Sequence, residues 1–463
     1  MNILYIGSGF VGACSSAVTA DSGHNVLVFD IDNTKISKLS SENHKEIDSC
    51  IFEEGLADLL IRHKDRLEFT YDYSKVRQFL DTCDAVFLCL PTPEIGETGE
   101  SNLKYYKTAV TELAKAMQER NKNKQEKYIV LVNKSTVPVN MVDNTKDIMD
   151  MSGVINYGVV SNPEFLVEGK AIEGSIRPDR VVVGAWKEKD FMIMRQIYDR
   201  FYSSATVSYL EVNPKEAAAG KLLANFYLFN KLQICYDVIG RTCEAFPNLD
   251  FEQLRKIITS DERIGSWGFY DSLYAGGSCF IKDARSLSHQ LQNAGKNSVL
   301  VDETYLSNKR QLENFLSRAE SEANFNWKGK TVGLLGLAFK RDTNDTRNSA
   351  SIEIIPFLRE KGVTDIRAYD PVAMDFFKQD FKDATDITYC SNELDTIQNS
   401  DIIIIATDWP QFRGLADAII TKSTKKLLIM DGRRMLHHRY SDMQDAGFDI
   451  IAVGSQFICG KNK

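Results

Sequence analysis

The length, composition and charge of the chain exclude several classes of protein. With 463 residues it exceeds what one hydrophobic core usually supports, so we expect about three domains. Hydrophobic residues make up 43% and charged residues 26%, which are the proportions of a globular protein and not of a disordered one. The net charge of −8 and the dispersed Lys and Arg residues argue against a nucleic-acid partner.

Apolar runs, cysteines and histidines bear on location and metal binding. The first ten residues lack the pattern of a signal peptide, and runs such as 402–406 are too short to cross a bilayer. Nine cysteines without CxxC spacing are typical of a reducing compartment, and six histidines show no ligand spacing. We therefore expect a cytoplasmic protein without a membrane partner and without a metal site.

The N-terminal segment carries a dinucleotide-binding pattern. An apolar strand runs into Gly7, Gly9 and Gly12, the G-x-G-x-x-G spacing that allows a tight turn, close approach of a pyrophosphate and close helix packing. A second strand ends at Asp30, whose carboxylate can bind the ribose hydroxyls of NAD and repel the 2′-phosphate of NADP. Lys35 either reaches a ribose or phosphate or is an ordinary surface lysine.

Three further apolar runs end in small polar residues. They are DAVFLCLPTP (84–93), YIVLVNKSTVP (128–138) and INYGVVSNPEF (155–165). Ligands of doubly wound sheets bind outside the carboxyl ends of the strands. We therefore expect these polar ends, as a set, to line a cofactor cleft, although each alone is also typical of an ordinary turn.

The middle of the chain predicts one long helix, from Asn213 to Phe246, because it is rich in alanine and leucine and has no proline after its first turn. Lys221 and Asn225 stand four residues apart and so project from one face. They either reach a single substrate atom or form a solvated surface pair.

The stretch GGSCFIKD, Gly276 to Asp283, contains a cysteine with unusual neighbours. Two glycines allow a sharp turn ahead of Cys279, and a helix is expected to start near Phe280. The positive end of the helix dipole and nearby Lys282 both favour a thiolate. The alternative is a buried, inert thiol, which is the usual state of a cysteine.

From residue 327 the pattern of strand, glycine turn and helix begins again. Further strands follow, so we expect a second α/β domain with a second nucleotide site, although its turn lacks the full glycine spacing. As a group, the cationic side chains at the predicted strand ends are suited to bind a diphosphate. Taken singly, each is also typical of an ordinary surface charge. They are Lys340, Arg341, Arg347, Arg433 and Arg434.

The order of these motifs resembles the UDP-glucose 6-dehydrogenases, among the nucleotide-sugar dehydrogenases. The motifs are GSGFVG, STVP, NPEFLVEG, RPDRVVVG, KLLAN, DERIG, GGSCFIKD, LAFKRDTNDTR, YDP, ATDW and DGRR, within residues 3–436. The resemblance implies an α/β fold of two Rossmann-like doubly wound domains joined by a helical domain with a long central helix. The expected domains are an NAD-binding domain (1–212), a helical dimerisation domain with the catalytic cysteine (213–320) and a UDP-sugar-binding domain (321–463).

The resemblance also implies the reaction, a four-electron oxidation of UDP-glucose at C6 with two NAD per turnover. A hydride leaves C6, the Cys279 thiolate adds to the aldehyde, a second hydride leaves the thiohemiacetal, and the thioester is hydrolysed. Lys221 and Asn225 would stabilise charge on the C6 oxygen. The residues implied for the proton and the hydrolytic water are Asp283, Glu164 and Thr136.

Binding residues and an oligomer follow from the same resemblance, because Arg263 is expected to reach the substrate of a neighbouring subunit. The residues implied for NAD are Gly7, Gly9, Phe10, Val11, Gly12, Asp30, Lys35, Thr92, Thr136, Glu168, Lys282 and Arg347. The residues implied for the nucleotide sugar are Glu164, Phe165, Leu166, Glu168, Lys221, Asn225, Arg263, Tyr270, Tyr274, Gly276, Phe339, Lys340 and Arg434.

Departures from the family pattern leave the sugar open. FYDSLYA (269–275) replaces a loop with Pro-Gly, Ile281 replaces a proline, and Tyr236 and Asp237 replace Asn-Glu. The rival substrates are a UDP-N-acetylhexosamine or GDP-mannose, although KLLAN favours UDP-glucose by resemblance. A catalytically silent nucleotide-sugar-binding protein and a two-electron hydroxyacid dehydrogenase are hypotheses from different functional classes. The reactive residues argue against the silent protein, and the hydroxyacid dehydrogenase has no use for a thiol.

Overall fold

The computed structural model describes residues 1–122, 127–423 and 426–461. The chain forms two compact units, the first made of Met1–Ala224 with Arg285–Asn297 and the second of Asn225–Ala284 with Ser298–Lys463. Two of the boundaries between units fall inside helices. The three-domain division at residues 212 and 320 stays a prediction.

Unit 1 is built on an eight-stranded sheet in the order β3-β2-β1-β4-β5-β6-β7-β8. Its first six strands are parallel, β7 is antiparallel to β6, and β8 is parallel to β7. The order 3-2-1-4-5-6 is that of dinucleotide-binding folds. The strands are β1 (Asn2–Ile6), β2 (Asn25–Phe29), β3 (Leu67–Thr70), β4 (Ala85–Leu88), β5 (Ile129–Asn133), β6 (Tyr157–Ser161), β7 (Arg180–Gly184) and β8 (Ser208–Val212).

Helices cover the sheet of unit 1, so its central strands are apolar along their whole length. Alternate residues of β1 enter two different cores, Ile3 and Tyr5 the first, Leu4 and Ile6 the second. The helices are α1 (Phe10–Asp21), α2 (Asn33–Leu39), α3 (His44–Cys50), α4 (Leu56–Arg62), α5 (Tyr73–Phe79), α6 (Lys104–Lys122), α7 (Met141–Met151), α8 (Ala171–Ile176), α9 (Glu188–Ile197), α10 (Asp199–Tyr202) and the first part of α11 (Pro214–Gln233).

Unit 2 contains a six-stranded parallel sheet in the order β11-β10-β9-β12-β13-β14, which repeats the order 3-2-1-4-5-6. The predicted α/β class with two doubly wound sheets is confirmed. The strands are β9 (Thr331–Leu335), β10 (Asp365–Tyr369), β11 (Ile387–Tyr389), β12 (Ile402–Ile405), β13 (Leu428–Asp431) and β14 (Ile450–Ala452).

The long helix predicted from the middle of the chain is confirmed, with one difference. After Gln233 the α-helix becomes a π-helix over Ile234–Ile239 and then continues as an α-helix. The other helices of unit 2 are α12 (Gly240–Ala245), α13 (Phe251–Thr259), the first part of α14 (Phe280–Asn293), α15 (Val299–Ser321), α16 (Ala350–Glu360), α17 (Met374–Asp380), α18 (Glu393–Ile397), α19 (Leu415–Lys422) and α20 (Tyr440–Asp445).

A buried carboxylate at the end of β10 organises the glycine turn of unit 2. Oδ2 of Asp370 accepts hydrogen bonds from the backbone N–H groups of Leu337 and Ala338 and from the indole of Trp409. Oδ1 accepts two more from backbone N–H groups at 372 and 373. Because charged acceptors make the stronger hydrogen bonds, this one side chain joins the turn, the strand and the loop after β12.

Replacing this carboxylate should therefore destabilise unit 2. In Asp370→Asn an amide NH2 group replaces one carboxylate oxygen and faces backbone N–H donors, so hydrogen bonds are lost. We expect the free energy of unfolding to fall by about 2–4 kcal/mol. The control is Asp375→Asn, because that side chain is 91% exposed. Urea unfolding followed by tryptophan fluorescence measures both variants, and equal stabilities would contradict the role given to Asp370.

Candidate active site

The glycine loop of unit 1 has the geometry that its sequence predicts. Gly7 has φ +101°, and a Cβ there would lie 2.2 Å from the carbonyl oxygen of Cys89. A Cβ on Gly12 would lie 2.0 Å from the carbonyl oxygen of Gly7. Neither position tolerates a side chain, whereas a Cβ on Gly9 would meet no atom within 4 Å. The open side of the loop is thus at Gly9, where α1 begins with Phe10 and Val11.

Asp30, directly after β2, is held close to this loop. Its Oδ2 accepts hydrogen bonds from the backbone N–H and the hydroxyl of Ser8, its Oδ1 accepts one from the N–H of Asp32, and Lys35 Nζ lies 3.7 Å from Oδ2. Burial acts to raise the pKa of the Asp30 carboxyl, but these N–H groups and the Lys35 ammonium outweigh it and lower the pKa. The carboxylate is therefore ionised and suited to ribose hydroxyls.

Two strand ends meet beside the loop. The Thr92 hydroxyl, beyond β4, donates a hydrogen bond to the carbonyl of Thr136, beyond β5, at 2.8 Å. A dinucleotide requires three features at this fold's switch point, and they are present as the open space at Gly9, the start of α1 and the carboxylate at the end of β2. The binding roles of Thr92 and Thr136 stay predictions. The residues of unit 1 fit NAD.

A buried ion pair lies in the same unit. Lys221 Nζ of α11 is 3.2 Å from Glu164 Oε1, and both side chains are nearly excluded from solvent. Glu164 Oε2 also accepts the N–H of Leu166 at 2.5 Å, which fixes the carboxylate on its own turn. The Phe165 ring stacks with Arg180 at 3.9 Å and lies 5.2 Å from Lys221 Nζ.

The surface-pair interpretation of Lys221 and Asn225 is wrong, because both are buried, at 4% and 5% exposure. Asn225 belongs to unit 2, where its Nδ2 donates a 2.6 Å hydrogen bond to Oδ2 of Asp283. Lys282 Nζ donates to Oδ1 of the same carboxylate at 2.6 Å. Asp283 is fully buried and thus joins two other residues of the predicted site.

Cys279 is exposed and not buried, and the reactivity of its thiol stays a prediction. Its carbonyl accepts the N–H of Asp283 at 2.8 Å, which makes Cys279 the residue that caps α14 at its N-terminus. The predicted helix start at Phe280 is confirmed. The thiol therefore feels the positive end of the helix dipole, and its Sγ lies 3.6 Å from the Ser278 hydroxyl.

The two glycines before Cys279 pack against the loop that follows β9. A Cβ on Gly276 would lie 2.4 Å from the carbonyl oxygen of Asn348 and 3.0 Å from Cβ of Phe339. Gly277 has φ +93°, and its carbonyl accepts a hydrogen bond from Asn348 Nδ2 at 3.2 Å. Only glycine allows this approach, so the motif positions the cysteine relative to the six-stranded sheet of its own unit.

The loop 269–275 is mostly buried inside unit 2. Leu273 and Tyr274 are buried, whereas Tyr270 is 44% exposed. Asn308 of α15 accepts the N–H of Ala275 with Oδ1 and donates to its carbonyl with Nδ2, at 2.8 and 3.0 Å. Most of this loop is thus held by packing within unit 2, and its bearing on the identity of the sugar stays a prediction.

Four of the cationic residues predicted for unit 2 have a carboxylate or carbonyl partner, namely Arg341, Arg347, Arg433 and Arg434. Arg433 pairs with Asp408 at 2.9 Å and donates to the Ser272 hydroxyl, and Arg341 is 3.7 Å from Asp408. Arg434 is buried and donates to Ser455. Arg347 pairs with Asp345, and Lys340 Nζ lies 5.8 Å from the Phe339 ring centroid. Arg263 is 88% exposed and pairs with Asp261. Glu168 is half-buried. Their binding roles stay predictions.

Three family models match the chain in order. The descriptions are UDP-glucose/GDP-mannose dehydrogenase family, NAD binding domain (residues 1–202), central domain (215–310) and UDP binding domain (333–438). A relative named UDP-glucose 6-dehydrogenase, from Rickettsia prowazekii, is 33% identical over 98% of this chain and all of its own length. The chain belongs to the UDP-glucose/GDP-mannose dehydrogenase family. It is an NAD-dependent oxidoreductase that acts on a CH–OH group, and its substrate is a nucleotide sugar.

Further relatives and structures agree with this family. UDP-glucose 6-dehydrogenase TuaD of Bacillus subtilis is 31% identical over 99% of this chain and 94% of its own. A UDP-glucose dehydrogenase structure from Pyrobaculum islandicum has TM-score 0.83 at 27% identity and covers 95% of both chains. A UDP-D-ManNAc dehydrogenase structure from Pyrococcus horikoshii shares the fold with TM-score 0.81 at 21% identity, covering 98% and 99%.

Two features are absent from the part of the chain that the structure describes. No group of three or more His, Cys, Asp or Glu side chains in ranges 1–122, 127–423 and 426–461 could hold a metal ion. Within the same ranges no helix is both long and apolar enough to cross a membrane.

Several residues that hold the predicted site residues in place were not predicted from the sequence. Ser8 fixes Asp30, Asn308 fixes the loop before Cys279, and Lys134 is a buried lysine directly after β5. A charged residue at the end of a central strand, after four apolar residues and Asn133, was the signal for Lys134. Asn308 carries no such signal, because it lies within an ordinary amphipathic helix.

Asp30 should determine the choice of cofactor. In Asp30→Ala the ribose acceptor is lost and Lys35 is left to attract a 2′-phosphate, so kcat/KM for NAD should fall relative to NADP by roughly tenfold or more, about 1.4 kcal/mol. The control is Asp58→Ala, whose side chain is 64% exposed. Steady-state kinetics with both cofactors measures the ratio, and an unchanged ratio would contradict this role.

Proposed function

We propose that the protein oxidises UDP-glucose at C6 to UDP-glucuronate and reduces two NAD per sugar. The observation that carries this proposal is an exposed thiol at the N-terminus of α14, one turn before a buried carboxylate that binds Asn225 and Lys282. Relatives named UDP-glucose 6-dehydrogenase over nearly the whole chain support the substrate.

The thiol is needed because an aldehyde must be taken on to an acid. NAD, which the glycine loop and Asp30 would hold, would supply the oxidant: one NAD would take the hydride from C6 of the alcohol, and a second NAD would take the hydride from the thiohemiacetal. In the proposed sequence the Cys279 sulfur forms a bond to the aldehyde carbon, which gives a thiohemiacetal whose C6 hydrogen is then lost as a second hydride. Water attacks the resulting thioester, the C–S bond breaks, and the thiolate leaves with UDP-glucuronate as the other product.

The buried polar groups have distinct proposed roles. Lys221 and Asn225 stabilise negative charge on the C6 oxygen, a role to which a buried ammonium and a buried amide are suited because water is excluded. Asp283 and Glu164 accept protons, and Thr136 orients water at the hydrolytic step. Both carboxylates keep acceptor capacity, since each has two hydrogen-bonding or ionic partners among the described residues.

The same chemistry on another nucleotide sugar is the alternative. The loop 269–275 departs from the family pattern, which favours a test of UDP-N-acetylhexosamines and GDP-mannose beside UDP-glucose. A silent binding protein is disfavoured by the exposed thiol and the intact set of buried polar groups. A two-electron dehydrogenase is also disfavoured, because its reaction needs no thiol and would give the exposed Cys279 no role.

NADH counted per sugar consumed tests the substrate and the electron count together. With limiting UDP-glucose we expect two NADH per sugar because alcohol and aldehyde oxidation are coupled through the thioester. UDP-N-acetylglucosamine and GDP-mannose serve as comparison substrates. Turnover of one of these without turnover of UDP-glucose would overturn the substrate, and one NADH per sugar would overturn the four-electron reaction.

Substitution of the thiol tests the nucleophile. Cys279→Ala should lower acid formation by roughly a thousandfold or more, because no covalent acyl intermediate can form. Cys279→Ser should be slow, since an alkoxide is harder to form and leaves less readily. The matched control is Cys459→Ala, which removes the other exposed cysteine. Undiminished UDP-glucuronate production by Cys279→Ala, measured by chromatography, would reject the assignment.

We further propose that the chain forms a homodimer through the face of unit 2 that carries Tyr227, Ile234 and Val238, here called the apolar stripe. These side chains are 67%, 45% and 58% exposed and recur at helical spacing. Large apolar side chains in a row are typical of protein contacts. Exposed Arg263 agrees with the expected contact to a neighbouring subunit. The cytoplasmic location stays a prediction.

Charges on the apolar stripe should separate the subunits. The double variant Tyr227→Asp and Val238→Asp places two like charges on each face, so we expect the mass measured by light scattering to fall to that of one chain. Met151→Asp is the control, because Met151 is 89% exposed and lies in unit 1. A double variant with the wild-type mass would contradict this interface.

A further inference from the structure

Unit 1 contains a buried lysine to which the proposed reaction gives no role. Lys134 follows β5 directly and is 8% exposed. Its Nζ donates a hydrogen bond to Oδ1 of Asn162 at 3.1 Å and lies 3.4 Å from the Tyr198 hydroxyl. A buried ammonium is costly, so its retention requires an explanation beyond stability.

The partner of Lys134 is the residue that fixes the turn after β6. Asn162 donates its backbone N–H to the carbonyl of Asn133 at 2.9 Å and its Nδ2 to the carbonyl of Val182 at 2.8 Å. Its Oδ1 receives both Lys134 and the Tyr198 hydroxyl, the latter at 2.6 Å. The side-chain oxygen and nitrogen of this amide are thus both engaged, and the turn starts from a fixed point two residues before Glu164.

Lys134 also interacts electrostatically with the buried ion pair. Burial lowers the pKa of Lys134 to about 8, while Cys89 and the Glu164 carboxylate act to raise it and the Lys221 ammonium acts to lower it further. The ammonium therefore interacts with both members of the Glu164–Lys221 pair. It adds positive charge to a buried set that would otherwise hold one cation and one anion.

We propose that Lys134 is a positioning residue for the reaction, whose ammonium holds the Asn162 turn and sets the charge around the Glu164–Lys221 ion pair. It acts through Asn162 and through the electrostatic field, and it is not assigned contact with the substrate. The inference rests on the proposed roles of Glu164 and Lys221.

The charged form of Lys134 is the form that does this work, so activity should depend on its titration. The other titratable groups that face it are Cys89, Tyr198, Glu164 and Lys221. Burial raises the pKa of Cys89 to about 12 and raises the pKa of Tyr198 well above its usual value, so neither group changes charge near pH 8. A change near that pH that responds to substitution at 134 therefore belongs to Lys134.

Unfolding of this site does not explain a loss of activity above pH 8. The pKa of Lys134 is lower in the folded protein than in the unfolded chain, so between about pH 8 and about pH 10 the folded state loses a proton that the unfolded state keeps. Loss of that proton relieves the cost of burying a charge. The contribution of Lys134 to stability thus improves as pH rises, while its contribution to catalysis declines.

Three variants test the proposal through the pH dependence of kcat, from about pH 6 to about pH 10. Lys134→Met removes the charge, so kcat should fall roughly tenfold to a hundredfold at neutral pH and the step near pH 8 should vanish. Lys134→Arg keeps the charge to high pH, because guanidinium does not lose its proton, and should extend the plateau above pH 8. KM for NAD should change much less than kcat in both.

Tyr198→Phe is the conservative test within the same cluster. It keeps the lysine but removes a hydroxyl that hydrogen-bonds to it, so the ammonium is less well solvated and the step should move to lower pH. Thermal unfolding of each variant separates a folding defect from a change in titration. Should Lys134→Arg fail to fold, Tyr198→Phe and Lys134→Met still decide the question.

The proposal is overturned if Lys134→Met retains the wild-type pH profile, or if Tyr198→Phe leaves the step in place while lowering kcat uniformly. Its failure is distinct from failure of the proposed function, which depends on the NADH count of the wild-type enzyme. Should the wild type oxidise another nucleotide sugar, the same variants are compared on that sugar.

Discussion

The hydrogen bonding of buried carboxylates is the constraint on which the rest of this structure depends. Parallel strands end in loops, and a carboxylate buried there must find donors to replace water. An ionised carboxylate has about four acceptor positions. Asp370 fills its positions with five donors, and Asp431 receives three backbone N–H groups and the Tyr440 hydroxyl. These two side chains hold unit 2 together and have little capacity left for a ligand.

Other buried carboxylates retain acceptor capacity, and these are the ones to which chemistry is assigned. Asp283 accepts from Asn225 and Lys282, and Glu164 accepts from its own turn and faces Lys221. A buried pair of this kind adds little net stability, because desolvation offsets the attraction between the charges. Function, and not folding, is the better reason for keeping a charge with spare lone pairs away from water. The same reasoning applies to Lys134.

The sequence was sufficient for features that depend on local geometry. Gly7, Gly9 and Gly12 were each assigned a role from spacing alone, and the distances a Cβ would have at these positions agree with those roles. The helix start after Cys279 could be predicted because paired glycines and the following charged residues are local signals. The doubly wound class of both sheets followed from the alternation of apolar runs and helices.

Burial of polar residues could not be obtained in the same way, because it depends on what packs against a residue from elsewhere in the chain. Spacing placed Lys221 and Asn225 on one face of a helix but did not determine whether that face is exposed to solvent or buried. Lys134 and Asn308 act through partners 28 and 33 residues away. The π-helix at Ile234–Ile239 was also unforeseen, since the absence of Pro and Gly there predicts a helix but not its hydrogen-bond pattern.

The two sheets show how one topology can serve two different nucleotides. Both place an aspartate after their second strand, yet Asp30 lies beside open backbone at Gly9, while Asp370 is closed in by its own turn. Ala338 stands where the first sheet has its second glycine, and its N–H is taken by Asp370. A ribose hydroxyl cannot compete for a carboxylate that is already saturated. Unit 2 must therefore recognise its nucleotide by groups other than this aspartate, which is why a UDP-binding domain can share the fold of an NAD-binding domain without sharing its cofactor.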